Sequence, residues 1–298
     1  MAVILKQVIL LFGFILAGYI FGKSGLIDNK NTKILSTLGV YLFLPCTVIK
    51  SFSQSFTTQY ISQYYPSMLL SVVVLLCVVA FAGISSKLIT KENYERKVFN
   101  YSLVVPNSGY MGYALAEALY GAPGLLNAIL LCFPISIYTY TVGFCTLTKR
   151  PLSLKKLINP MIIAMIIGAF FGISAIPIPD FIFSFIDKSS NCMAPVSMLL
   201  AGLAISEFKL RDLISDKKSY IVTALRLLVI PLAVFLILRP FCSETTVRTL
   251  VLLYSMPCGL NTIVFPKLIG EDCKMGARLA FLSNLFAIIT IPVVLGLT

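Results

Sequence analysis

The feature that most constrains this chain is a series of apolar runs, each about 20 residues long, which recur along nearly its whole length. A helix of about that length crosses the hydrocarbon core of a bilayer. The composition agrees, because 58% of the residues are hydrophobic and 12% are charged, against about 25% charged in soluble domains. These patterns exclude a soluble domain, a disordered chain and a peripheral amphipathic protein. They predict an all-α polytopic membrane protein.

Charge clusters and Pro or Gly residues separate the apolar runs into ten predicted transmembrane helices, called spans here. A chain exposed to lipid must pair its backbone groups internally, and the runs lack the period-two alternation of barrel strands, so we expect helices throughout. The predicted spans are about 3–22, 34–49, 66–86, 98–120, 124–147, 157–176, 190–206, 219–238, 247–269 and 275–297.

Lysine and arginine are shared unequally between the two sides of these spans. Alternate loops carry 18 of the 24 basic residues, the opposite loops carry five, and Arg226 lies inside a span. The positive-inside rule then predicts that the basic loops are cytoplasmic and that both termini are extracellular, as in a multi-pass plasma membrane protein. The net charge of +12 is therefore explained by the cytoplasmic face, without a nucleic-acid partner.

The polar residues form no enzymatic or metal-binding pattern. The chain has no histidine, and its eight cysteines form no CxxC pair. We expect these cysteines to be small buried hydrophobic residues. It also lacks an HExxH motif and the GxxxxGK[ST] loop that binds nucleotide phosphates. The longest loops have only about a dozen residues, too few for a soluble domain. We therefore expect no enzyme activity, no cofactor and no metal, and a function that lies within the helical bundle.

An internal repeat is indicated by the basic stretch 149–156, which divides the chain into two sets of five spans. An odd number of spans in each half would place the halves upside down relative to each other, as in many secondary transporters. Pro106 and Pro257 lie 151 positions apart, each halfway along the fourth span of its half. We therefore predict two inverted five-helix repeats, 1–150 and 151–298.

The fourth and ninth spans each contain helix breakers near their midpoint, Pro106 with Gly109 and Pro257 with Gly259. Proline removes a backbone donor and clashes with the preceding turn, so both helices should open near the middle of the bilayer. The freed backbone groups cannot face lipid and must face protein or a wet cavity. The polar side chains that follow the breakers, and that could complete a binding site, are Asn107, Ser108, Asn261 and Thr262.

Helix direction predicts what such a site would bind. If the halves are inverted, the second part of each broken span begins at the midplane, and two partial positive charges converge there. Such a place favours an anion. The alternative is a pair of ordinary proline kinks without a binding role, which are common in membrane helices.

The residues around both breaks resemble the auxin efflux carrier family, which includes plant auxin exporters and bacterial permeases. The resemblance extends over essentially the whole chain, and Ala114 departs from it, since many members have proline there. The resemblance implies two broken helices that cross. It also implies a scaffold and dimer surface formed by spans 1, 2, 6 and 7. A transport domain, formed by spans 3–5 and 8–10, would then move across the membrane relative to the scaffold in an elevator mechanism. The stretches that carry the resemblance are GYIFGKSGLID, PNSGYMGYALAEALYG, NCMAPVSMLLAGLAIS and MPCGLNTIVFPK.

Three further residues are candidates for the site. The resemblance implies that Asn107 and Asn261 are the site residues where the two broken helices cross. Thr47 would be a third contact, from the scaffold, although its hydroxyl could equally bond within its own helix. Glu117 is the one carboxylate clearly inside a span, either a proton carrier or a solvated residue near a helix end. Arg226 could attract an anionic substrate, or its long stem could reach back to the lipid headgroups.

These observations predict a secondary transporter, a permease for a small organic anion, which is a weak carboxylic acid or a dicarboxylate such as malate. The expected partners are that anion, the lipid bilayer and a second copy of the chain in a homodimer. Two alternatives remain. One is a sodium-coupled carrier of the bile-acid or antiporter type, which would need acidic residues that both breaks lack. The other is a membrane sensor that does not transport.

Overall fold

The computed structural model describes residues 2–27, 32–149, 160–267 and 272–298. Within these ranges the structure is all-helical and contains no strand. The described helices, in chain order, are α1 (Ala2–Lys23), α2 (Thr32–Ser55), α3 (Thr58–Ile89), α4 (Asn93–Val104), α5 (Ser108–Thr148), α6 (Pro160–Ser174), α7 (Asp180–Ser206), α8 (Leu210–Ile214), α9 (Lys217–Leu238), α10 (Glu244–Tyr254), α11 (Asn261–Lys267) and α12 (Lys274–Leu297).

Seven of the described helices are long and apolar enough to cross a membrane, namely α1, α2, α3, α5, α7, α9 and α12. Helix α5 has 41 residues, about twice the length that one crossing needs. Its helical conformation is interrupted at Gly121, where φ is 68° and ψ is −163°, a left-handed conformation that favours glycine. The fifth predicted span begins just after this interruption.

Each of the ten predicted spans contains helix in the structure. Among the described residues, the fourth and ninth spans each contain a non-helical break of at least three residues, at 105–107 and 255–260 respectively, and the seventh has a single turn residue at Cys192. The predicted boundary between the halves, at residue 150, lies outside the described residues. The number of membrane crossings and the inverted relation of the halves stay predictions.

The helices of spans 1, 2, 6 and 7 pack as two close pairs, α1 with α7 and α2 with α6. A Cβ atom on Gly202 of α7 would lie 2.0 Å from the carbonyl oxygen of Ile15 in α1. A Cβ atom on Gly172 of α6 would lie 2.5 Å from the carbonyl oxygen of Phe52 in α2. Such backbone contact requires glycine and is typical of helix association in membranes, where small residues allow close van der Waals packing.

The two breaks lie in the buried interior of the molecule. The residues that end the helices before them, Val104 and Tyr254, are 0% and 1% exposed. Met256 and Cys258, within the second break, are both fully buried. The polar backbone of both breaks is therefore enclosed by protein, as the absence of hydrogen-bonding partners in lipid requires.

The crossing of the two broken helices

The two breaks separate four helix segments. Helix α4 ends at Val104 and α5 begins at Ser108, so Pro106 lies in the gap between them. Helix α10 ends at Tyr254 and α11 begins at Asn261, with Pro257 in the second gap. Proline has no backbone N–H and disrupts the preceding turn, which accounts for helix ends at these positions.

The two gaps lie side by side and pair with each other in antiparallel fashion. The Asn107 N–H donates to the carbonyl oxygen of Pro257 at 2.8 Å, and the Gly259 N–H donates to the carbonyl oxygen of Val105 at 3.2 Å. Each break therefore supplies a partner for the backbone of the other, which compensates for helical hydrogen bonds lost at the prolines. We call this pair of segments, 105–107 and 255–260, the crossing.

Arg226 of α9 donates hydrogen bonds to the end of α4 and to the second break. Its Nη1 donates to the carbonyl oxygen of Leu103 at 2.7 Å, and its Nε donates to that of Met256 at 3.2 Å. In an uninterrupted helix the Leu103 carbonyl would accept the Asn107 N–H, which is committed to Pro257 instead. The guanidinium thus satisfies a carbonyl that the break has freed.

The side chain of Arg226 is fully buried. Its guanidinium lies 5.7 Å from the centre of the Tyr254 ring, and its Nη2 has no hydrogen-bond partner among the described residues. The alternative in which the stem of Arg226 extends to the lipid headgroups is therefore wrong. Its Nε and Nη1 donate at the crossing, where the broken helices present unpaired carbonyl groups.

A cavity of about 60 Å³ lies against the crossing, and we call it the crossing cavity. Asn107 and Asn261 both contribute to its lining, together with Gly109, in the first turn of α5, and Gly259. The Asn107 side chain is 3% exposed, and its Nδ2 has no hydrogen-bond partner among the described residues. An amide donor at the cavity is thus unpaired.

A larger cavity of about 220 Å³, the vestibule, adjoins the crossing cavity. Tyr110 and Tyr113 line both cavities. Glu117 lines the vestibule and not the crossing cavity, and its Oε1 lies 3.0 Å from Lys50 Nζ. Lys50 Nζ also lies 2.9 Å from Asp187 Oδ1, so one lysine joins carboxylates on α5 and α7.

The remaining predicted hydroxyl residues donate to backbone carbonyl groups. Ser108 Oγ donates to the carbonyl oxygen of Leu253 at 3.4 Å, and Thr262 Oγ1 donates to that of Gly259 at 3.0 Å. Neither residue lines the crossing cavity. Thr47 Oγ1 donates to the carbonyl oxygen of Phe43 at 2.9 Å, the back-bonded alternative, while the residue lines the vestibule.

Several residues of the site were missed by reasoning from the sequence. The tyrosines that line the crossing cavity are Tyr110, Tyr113 and Tyr140. A signal was present for the first two, because residues three apart share a helix face and both follow the first break directly. No local signal identified Lys50 and Asp187 as partners, since they are far apart in sequence.

Comparison with known proteins gives a consistent assignment. A family model described as membrane transport protein matches residues 3–154 and 144–295. The chain is also similar to an uncharacterized transporter of Methanocaldococcus jannaschii. The two sequences are 26% identical over 299 aligned residues, which cover 95% of each protein.

Proposed function

Because the chain belongs to the membrane transport protein family, also known as the auxin efflux carrier family, we propose that it is a secondary transporter for a small organic anion or weak carboxylic acid. The substrate binds at the crossing, between Asn107 and Asn261. It reaches that site through the vestibule and moves by alternating access across the plasma membrane.

The observation that carries this proposal is the unpaired amide of Asn107 beside the start of α5. A buried donor without a partner costs about 1–3 kcal/mol, which a ligand acceptor would recover. Helix α5 begins at the crossing, and the first backbone N–H groups of a helix have no partner within it. A carboxylate can pair with both kinds of donor, since each of its two oxygens accepts hydrogen bonds.

The packing of the helices supports the proposed division into two moving parts. In an inverted repeat, span 1 corresponds to span 6 and span 2 to span 7, so a contact between spans 1 and 7 implies one between spans 6 and 2. Both contacts are present, as α1 with α7 and α2 with α6. We propose that these four helices form the scaffold and the dimer surface of a ten-helix inverted repeat. The other helices form a transport domain that moves relative to this scaffold, with the bound substrate, in an elevator mechanism.

The test is transport in proteoliposomes, with a panel of radiolabelled small carboxylates in uptake and counterflow. Asn107→Ala and Asn261→Ala should each weaken substrate affinity by roughly 10–100-fold, the value of one hydrogen bond to a charged group. Asn284→Ala is the matched control, because Asn284 is a buried asparagine whose Nδ2 bonds within its own helix, to the carbonyl oxygen of Ala280. Unchanged flux and affinity in both crossing variants would refute the proposed site.

The same assay tests the sodium-coupled alternative. Na⁺ sites in carriers are built from clustered oxygen ligands, and the residues described around the crossing cavity include no carboxylate. We therefore expect uptake to continue when choline replaces sodium. Loss of uptake in choline would favour the sodium-coupled carrier.

A further inference from the structure

Arg226 brings a full positive charge to the crossing, and the described residues supply no carboxylate to balance it. The described ion pairs involve Lys50, Lys218, Arg248 and Lys274, and none involves Arg226. Burying a charge without a counter-ion is strongly unfavourable. The two carbonyl groups and the Tyr254 ring stabilise the guanidinium only by dipole and quadrupole interactions.

The helix ends at the crossing do not provide the missing negative charge. Helices α4 and α10 end there and contribute partial negative charge, whereas α5 and α11 begin there and contribute partial positive charge. These contributions have opposite signs and largely cancel. The crossing therefore has a net charge close to that of the guanidinium, which is one positive charge.

The guanidinium does not line the crossing cavity, but hydrogen bonds connect it to the proposed substrate position. It binds the carbonyl oxygen of Met256, and the carbonyl oxygen of the next residue, Pro257, accepts the Asn107 N–H. The backbone of Asn107, whose side-chain amide is unpaired, is thus connected to Arg226 through two residues, Met256 and Pro257, and two hydrogen bonds. A unit charge about 10 Å away, at an effective dielectric constant of about 20, changes the affinity for an anion by roughly ten-fold.

We propose that Arg226 sets the charge of the transported ligand at one, so that the crossing selects monocarboxylates over dicarboxylates and over uncharged analogues. This inference rests on the proposed function. A monoanion neutralises the crossing, whereas the second charge of a dianion is desolvated without a partner. A neutral analogue leaves Arg226 uncompensated.

The experiment measures the apparent melting temperature of the purified full-length protein at fixed ionic strength. The probes are monocarboxylates of two to eight carbons, each paired with its primary amide and with the dicarboxylate of equal chain length, such as butyrate, butyramide and succinate. A ligand that binds only the folded protein raises its stability. Monocarboxylates should reach half-maximal stabilisation at a concentration at least roughly ten-fold lower than their amides and dicarboxylates.

Variants separate the charge of Arg226 from its structural contacts. Arg226→Gln should abolish the preference for carboxylate over amide, and Arg226→Lys should retain it because the charge remains. Arg239→Gln is the matched control, since Arg239 is exposed, directly follows the end of the same helix, and its removal changes the net charge equally. If Arg226→Gln does not fold, the ligand series on the wild type and on Arg226→Lys still decides the question.

The outcomes distinguish this inference from the proposed function. Dicarboxylates that stabilise the wild type as well as monocarboxylates overturn the inference and leave an anion site in place. A preference for carboxylate that survives in Arg226→Gln also overturns it, because the arginine would then act only through its contacts. If no carboxylate in the series stabilises the protein, both the anion site and its charge selectivity are refuted.

Discussion

Gly276 holds the first turn of α12 against the start of α11, and its replacement by alanine should displace one half of the crossing. A Cβ atom at this position would lie 2.2 Å from the carbonyl oxygen of Thr262, 2.6 Å from its carbonyl carbon and 2.8 Å from its Cβ. These are backbone and Cβ atoms, so no side-chain rotation relieves the overlap. Thr262 follows Asn261, which lines the crossing cavity.

The size of the effect follows from these distances. Ordinary van der Waals contact begins at 3.4 Å, so the oxygen of Thr262 and the new methyl group must separate by more than 1 Å. Overpacking of this kind costs about 1–3 kcal/mol, or roughly 2–12 °C in apparent melting temperature. A movement of about 1 Å also takes the Asn261 amide out of hydrogen-bond range, which should weaken substrate affinity by roughly 10–100-fold.

The assay compares Gly276→Ala with Gly83→Ala for melting temperature and substrate affinity. Gly83 lies inside α3, and the nearest atom to an added Cβ there is Asn100 Nδ2 at 3.8 Å. Alanine is favoured over glycine within a helix by about 0.5–1 kcal/mol, so the control should be neutral or slightly stabilising. If Gly276→Ala and Gly83→Ala have the same melting temperature and the same substrate affinity, the contact between α11 and α12 does not determine the position of Asn261 at the crossing.

Two further predictions concern the ion pairs of Lys50 and the contact of α1 with α7. Lys50→Met should lower the melting temperature more than Glu117→Gln, because it leaves two carboxylates close together without their shared lysine. In Glu117→Gln, Lys50 keeps its second carboxylate, Asp187, and we expect the free energy of unfolding to fall by less than about 1 kcal/mol. The reverse order in thermal unfolding would contradict this arrangement. Gly202→Ala should destabilise the contact of α1 with α7 by about 1–3 kcal/mol, and Gly13→Ala, where nothing lies within 4 Å of an added Cβ, should not. Equal melting temperatures for these two variants would show that the helices are not in backbone contact.

The helices and the two breaks could be predicted because each depends on neighbouring residues. Apolar length determines where a helix can cross a bilayer, and proline stops a helix wherever it removes the backbone donor. Asn107 and Asn261 were identified for the same reason, since each lies within four residues of a breaking proline. Their roles in binding stay predictions.

The directions of the other polar side chains could not be predicted in this way. Ser108 and Thr262 directly follow the two asparagines, yet their hydroxyl groups bond to carbonyl groups and neither residue lines the crossing cavity. After a non-helical segment, side-chain direction depends on the local path of the backbone and no longer on helical periodicity. Lys50 likewise acquires its two carboxylates from helices that are distant in sequence.

The sequence by itself determined that this chain is a helical membrane protein of a transporter family and where two of its helices stop, because hydropathy and proline act over a few residues. Only the tertiary structure decided what the interrupted backbone binds. Arg226 and Leu103 are 123 positions apart, and the break at Pro106 pairs with a segment of the other half of the chain. Hydrogen bonds between such distant residues depend on how whole helices pack, which no local pattern specifies.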